Sequence, residues 1–281
     1  MLNIDLHTHT TSSDGLLSPR EVVRRAKKNG VKYLAITDHD TTSGLDEAIF
    51  EAKNSTLTLI PGIELSTTHN KESIHILGFF TDDSYNNPEL KEKLDAIKNR
   101  RVIRAQQITE KLKETFNIEI SFENVLKRGK DVVARPHIAQ EIISAGYPYD
   151  IDYIFDNFIG KDCPAFVPTT RMSTEDGIAL LKKYNAKVFL AHPVLIKNSP
   201  LTDFLNIGLD GIEAIYFQNS PQDEERLLKF AKDNNLLVSA GSDCHGDFEN
   251  DKRHGDIGCM SISKELFDKF LYSFRGDYRN L

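Results

Sequence analysis

The sequence predicts an α/β protein whose strands form a parallel, barrel-like sheet, interrupted once by a helical insertion. Two patterns carry this reading. Short apolar runs alternate with helical periodicity at both ends of the 281-residue chain, while residues 82–168 show helical patterns and no strand repeat. The expected division is a first barrel part at 1–82, a helical insertion at 83–168 and a second barrel part at 169–281.

The first strand is expected at 2–6. Ser18 then reads as an N-cap, with Pro19 at the first helical position, Glu21 as its reciprocal partner and Gly30 as the stop. Residues 31–37 read as a strand, 43–53 as a helix, and 57–65 and 73–80 as two more strands. In the insertion, 89–115 is a long charged helix with Leu90, Leu94, Ile97, Ile108 and Leu112 along one side, expected to pack on the insertion's own core. Shorter helices follow at 122–127, 135–145 and 151–158. The barrel pattern resumes with a helix at 173–184 and strands at 187–191 and 211–217. A helix opened by Ser220 and Pro221, a strand at 236–240 and a helix at 263–274 complete it.

Composition excludes several classes. With 40% hydrophobic and 27% charged residues the chain is neither disordered nor unusual for a soluble fold. No apolar run approaches bilayer length, and Asp5, His7 and His9 interrupt any secretory signal. Cys163, Cys244 and Cys259 form no CxxC, which fits neither a disulfide framework nor a thiolate zinc site. A cytoplasmic setting is therefore expected. A net charge of −7 argues against stable binding of long nucleic acid, although metal cations in a pocket would still attract phosphate.

Six of the nine histidines lie at or just beyond the ends of expected strands. They are His7, His9, His39, His75, His192 and His245; Glu64 and Asp243 are delivered the same way. In a parallel α/β fold those ends form one rim. Residues two apart on a strand share a side, so His7 pairs with His9 and Asp243 with His245, while Thr8 and Cys244 turn away. Imidazole nitrogens and carboxylate oxygens without thiolate suit Mn²⁺, Fe²⁺ or Zn²⁺. Taken singly, His7 and His9 read equally well as surface histidines, His75 as a core histidine and His192 as a strand end. Their convergence on one rim favours a common site. His69 and His254 lack strand context and are read as ordinary side chains.

Seven short motifs resemble the PHP (polymerase and histidinol phosphatase) family. They are His7-Thr8-His9, Ser13-Asp14-Gly15, Thr37-Asp38-His39-Asp40, Pro61-Gly62-Ile63-Glu64, His75-Ile76-Leu77-Gly78, Ala191-His192-Pro193 and Ser242-Asp243-Cys244-His245. Ala134-Arg135-Pro136-His137-Ile138-Ala139 and the insertion resemble its stand-alone branch of nucleotide phosphatases and 5′-to-3′ exoribonucleases. The resemblance implies a distorted (β/α)7 barrel with two to three divalent metal ions at the C-terminal rim. It places His7, His9, Glu64 and Asp243 at a first metal, Glu64, His75 and His137 at a second, and Asp14, His39 and His245 at a third. His137 comes from the insertion, and its other reading is a helix histidine packed behind Pro136.

The implied function is a metal-dependent phosphoesterase. Three divalent ions against Asp14, Glu64 and Asp243 leave the pocket positive, suited to a phosphate dianion, and a metal-bound hydroxide is available near pH 7. Arg135 would grip phosphate oxygens and His192 would bind phosphate or protonate the leaving alkoxide. Arg171 is a second candidate clamp, or a surface ion pair. The expected substrates are a small nucleotide such as a 3′,5′-bisphosphate, or short 5′-phosphorylated RNA. The alternatives are a histidinol-phosphate phosphatase, a carboxylic ester or amide hydrolase, and a non-catalytic metal-binding module.

Overall fold

The computed structural model describes residues 1–53, 55–129, 133–168, 171–249 and 251–274. In chain order it contains β1 (Leu2–Asp5), α1 (Pro19–Lys28), β2 (Tyr33–Ile36), α2 (Leu45–Ala52), β3 (Thr58–His69) and β4 (Glu72–Phe80). Then come α3 (Pro88–Phe116), α4 (Phe122–Gly129), α5 (Arg135–Ser144) and the single turn α6 (Ile151–Ile154), continued by a π-turn at Phe155–Ile159. Next are α7 (Thr174–Lys183), β5 (Ala186–Leu190) and β6 (Gly211–Tyr216). The chain closes with α8 (Pro221–Asp233), β7 (Leu237–Gly241), β8 (Ser261–Ile262) and α9 (Lys264–Ser273). Two compact units result: Met1–Glu92 with Arg171–Leu281, and Lys93–Thr170.

The first unit is an α/β barrel. Its sheet runs β7-β6-β5-β4-β3-β2-β1-β8. Beyond the ends of β1 and β7 the backbone pairs again: Leu6 N–H donates to Ala240 O, Asp243 N–H to His7 O and His9 N–H to Cys244 O, each at 2.9 Å. This joins the β1 end of the sheet to β7. The capping box forms as its residues dictate, Ser18 Oγ accepting from Glu21 N–H and Glu21 accepting from Ser18 N–H, and Gly30 takes the left-handed stop at φ 72°. Inside, the rings of Phe79, Phe189 and Phe270 meet at 5.3–5.5 Å.

The sheet is not wholly parallel. β4 runs antiparallel to both β3 and β5, and β8 antiparallel to β1. His69 pairs with Glu72, so only Asn70 and Lys71 connect β3 to β4, with φ of 46° and 64°. A two-residue link of this hand joins antiparallel strands, whereas a parallel crossover needs a dozen or more residues. The consequence for the site is direct. The beginning of β4 stands at the rim, and His75 pairs there with Ser66 of β3.

The second unit is all helical among its described residues, and Ile108, Leu112, Val125, Ile138, Ile142, Ile154 and Ile159 are buried in its core. The apolar stripe of α3 divides, since Leu90 belongs to the first unit and Ile108 and Leu112 to the second. No helix among the described residues is long and apolar enough to cross a membrane.

Candidate metal centre

The rim gathers its side chains around Glu64, which is 1% exposed in the middle of β3. Glu64 Oε2 lies 3.3 Å from His7 Nε2, 3.3 Å from His9 Nε2 and 2.9 Å from His39 Nδ1. Its other oxygen, Oε1, lies 2.8 Å from His75 Nδ1 and 3.0 Å from His192 Nε2. Asp243 Oδ1 faces His7 Nε2 at 3.4 Å and His9 Nε2 at 3.0 Å. A third cluster forms around Asp14, with His9 Nδ1 at 3.6 Å, His39 Nε2 at 3.7 Å and His245 Nε2 at 3.4 Å.

Local sequence explains these placements. Asp38 is buried and ties down the loop that carries Asp14, accepting from Thr10 N–H (2.7 Å), Thr10 Oγ1 (2.7 Å) and Ser13 Oγ (2.6 Å). Gly15 completes that turn, because a Cβ there would stand 2.6 Å from His9 O. Asp5 accepts from Ser242 N–H (2.9 Å), Ser242 Oγ (2.6 Å) and Gly258 N–H (2.9 Å), which fixes the segment leading to Asp243. Burial pushes the Asp5 carboxyl up to about 6 against those donors. Thr8 turns away to donate to Ala35 O. Cys244 is buried apart from the cluster, and burial lifts its thiol to about 12.

The donors fit divalent metal ions. His7 Nε2, His9 Nδ1 and Nε2, Asp14 Oδ1, His39 Nδ1 and Glu64 Oε2 are all buried without a well-formed hydrogen bond, an expensive arrangement that cations between them would relieve. Groups able to hold an ion among the described residues are His7, His9, Glu64 and Asp243; His9, Asp14, His39 and His245; His39, Glu64 and His75; and Asp243, His245 and His254. Burial opposes ionisation throughout, yet the neighbouring imidazoles hold Glu64, Asp14 and Asp243 well below the usual carboxylate range. The surrounding carboxylates hold His7 well above its usual value and push His9 up to about 10. His75 goes the other way, to about 4, because burial and the imidazoles of His39 and His192 outweigh Glu64.

Other expected residues sit elsewhere. Arg171 donates to Ser73 Oγ, itself 3.4 Å from His75 Nε2; Thr169 and Thr170 lie outside the described residues. Arg135 belongs to the second unit, where its Nη1 donates to Ile159 O (3.2 Å) and its guanidinium lies 5.5 and 5.9 Å from the Phe155 and Phe166 rings. Burial lowers its pKa. His137, in the same unit, caps α5: its Nδ1 accepts the Ala134 N–H at 3.1 Å.

Two residues were overlooked in the sequence. His254, read as ordinary, has Nε2 3.5 Å from Asp243 Oδ2 and Nδ1 2.6 Å from Asp251 Oδ2; it comes from a loop, where periodicity gives no signal. Glu213 is fully buried in β6 beside His7. Its signal was available, since a carboxylate inside an apolar strand demands a partner. His69 stays apart from the cluster, facing Glu175 and Asp203 at 3.4 Å.

Comparison with known proteins identifies the family. The PHP domain family model matches residues 5–161. The 5′-3′ exoribonuclease Rnm of Salmonella typhimurium is 33% identical over 250 residues, 86% of this chain and 84% of that protein. The 3′,5′-nucleoside bisphosphate phosphatase of Chromobacterium violaceum is 30% identical over 288 residues, 96% of this chain and 99% of that one. A crystal structure from Bifidobacterium adolescentis, assigned as a metal-dependent phosphoesterase, covers 100% of this chain and 99% of its own with a TM-score of 0.82 at 30% identity. From its rim of histidines to these relatives along most of its length, the chain belongs to the PHP domain family.

Proposed function

We propose that this chain is a metal-dependent phosphoesterase acting on a small nucleotide with two separate phosphates, such as a 3′,5′-bisphosphate, or on short 5′-phosphorylated RNA. The observation that carries this is the convergence of unsatisfied buried imidazole and carboxylate atoms on Glu64 and Asp14. We assign His7, His9, Glu64 and Asp243 to one metal, Asp14, His39 and His245 to another, and Glu64 with His75 to a third. His192 joins His75 in this assignment, because both rings approach Glu64 Oε1. His137 is set aside as a ligand: with Nδ1 accepting an N–H, the neutral ring carries its proton on Nε2.

Bound divalent ions would supply Lewis acidity and an acidified water. Mn²⁺, Fe²⁺ and Zn²⁺ all suit the donors. The chain's own residues do the rest. Buried carboxylates keep the ligand rings oriented, and with divalent ions bound the pocket would be positive, attracting phosphate dianions and repelling ammonium groups. Arg135 pairs with no carboxylate among the described residues, which leaves its guanidinium for phosphate oxygens. Arg171, one side chain from His75, suits the second phosphate.

The test compares kcat/KM for a 3′,5′-nucleotide bisphosphate, a short 5′-phosphorylated RNA and histidinol phosphate in the presence of Mn²⁺. Histidinol phosphate should be the poorest. Its hydrolysis with higher efficiency than both nucleotide substrates would overturn the assignment.

A further inference from the structure

Glu213 is absent from every ligand group, yet it is the residue that the two flanks of the rim share. Its side chain is completely buried, and it rises from the middle of β6 between the segment after β1 and the segment after β5. Oε1 stands 3.0 Å from His7 Nδ1, and Oε2 accepts the backbone N–H of His192 at 2.8 Å. Space for this contact is reserved in the sequence: a Cβ on Gly241 would lie 2.5 Å from Glu213 Oε1 and 2.3 Å from His7 Cβ. His192 has φ 30° and ψ 62°, a left-handed conformation that a residue with a side chain adopts only when its surroundings enforce it.

We propose that Glu213 is a positioning residue that aims two histidines at once, His7 by fixing its tautomer and His192 by anchoring its strained backbone. A carboxylate offers only acceptors, so a neutral His7 beside it carries its proton on Nδ1 and turns the lone pair of Nε2 toward Glu64 and Asp243. On the other side, the N–H of His192 held by Oε2 keeps the chain bent so that His192 Nε2 reaches Glu64 Oε1 at 3.0 Å. Both tasks need an acceptor: Oε1 makes the shorter contact to His7 Nδ1, and Oε2, which holds the N–H of His192, also lies 3.2 Å from His7 Nδ1. A glutamine keeps the shape but offers one carbonyl oxygen, and its NH₂ would face either the N–H of His7 or the N–H of His192. Glu213→Gln therefore sets an NH₂ against one of the two donors, weakening the hold on His7 when the carbonyl takes the Oε2 position and losing the hold on His192 when it takes the Oε1 position.

This inference rests on the metal assignment above, and the experiment separates the two. Long-range ¹H–¹⁵N spectra of the imidazoles in the full-length Mg²⁺- and Mn²⁺-free chain, at a pH where His7 is neutral or after loading with diamagnetic Zn²⁺, report which nitrogen carries the proton. Chelator competition with Mn²⁺ reports affinity in the wild type and in Glu213→Gln, with circular dichroism as the check on folding. The expected result is an Nδ1-protonated His7 in the wild type and Mn²⁺ affinity weakened about 10- to 100-fold in Glu213→Gln. An Nε2-protonated His7, or Glu213→Gln affinity within about twofold of wild type, would overturn the proposal. If the wild type bound no metal, the metal assignment would fall while the tautomer of His7 would still decide the role of Glu213.

Discussion

His9 stands between the carboxylates of Asp243, Glu64 and Asp14, and although burial opposes its charge, their pull raises its pKa to about 10. At neutral pH the metal-free ring is therefore protonated, and a metal ion must displace that proton. Apparent affinity should rise with pH, about tenfold per unit for each proton displaced, until the pH nears 10. Mn²⁺ titration calorimetry at pH 7 in two buffers of different ionisation enthalpy would show the release; identical heats would rule it out. The same shift stabilises the metal-free fold fully below the unfolded value of 6.5, and that contribution fades as pH rises through about 10. The neighbouring pair Asp243 and Cys244 provides a contrast. Asp243→Asn removes a charge that faces both His7 and His9 and should lower turnover at least about 100-fold. Cys244→Ser, whose side chain lies apart from the cluster, should leave kcat/KM within about twofold. A dead, folded and metal-loaded Cys244→Ser variant would contradict the placement of that side chain.

The β3–β4 hairpin shows what could be read in advance and what could not. The apolar runs announced both strands, and His75 was correctly drawn to the rim, but through the wrong end of its strand. Strand direction depends on the connecting turn, and Asn70-Lys71 is a weaker hairpin signal than Asn-Gly. Lys71 has φ 64°, which a lysine adopts at a cost of about 1 kcal/mol relative to glycine. Lys71→Gly should accordingly raise the urea midpoint, and a lowered midpoint would mean that the lysine side chain makes a compensating contact. The α1 cap, by contrast, is written locally in Ser18, Pro19 and Glu21, and was fully legible. Glu213 announced its need for a partner but not which one, and His254 announced nothing. Glu213 finds its partners 206 and 21 residues away, and His254 reaches Asp243 from a loop with no period at all.

For the molecule as a whole, a net charge of −7 coexists with a rim whose donors suit cations and, once these are bound, anions. The global sum excludes little about such a pocket, because the local field is set by the ions it holds. The first unit is assembled from both ends of the chain, with residues 1–92 and 171–281 contributing strands to one sheet. His7 and His9 lie on the β1 side of the place where that sheet joins, and Asp243 and His245 on the β7 side, with the bonds from Leu6, His9 and Asp243 N–H between them. A metal ion held by both sides would act as a rivet across the seam of the barrel, tying residues more than 230 positions apart. Amide hydrogen exchange at Leu6, His9 and Asp243 should then slow more on Mn²⁺ addition than exchange in α8 or α9, which carry none of the assigned ligands. Chelation would unzip the barrel first along that line, so that the ions which serve the chemistry would also decide where the fold begins to open.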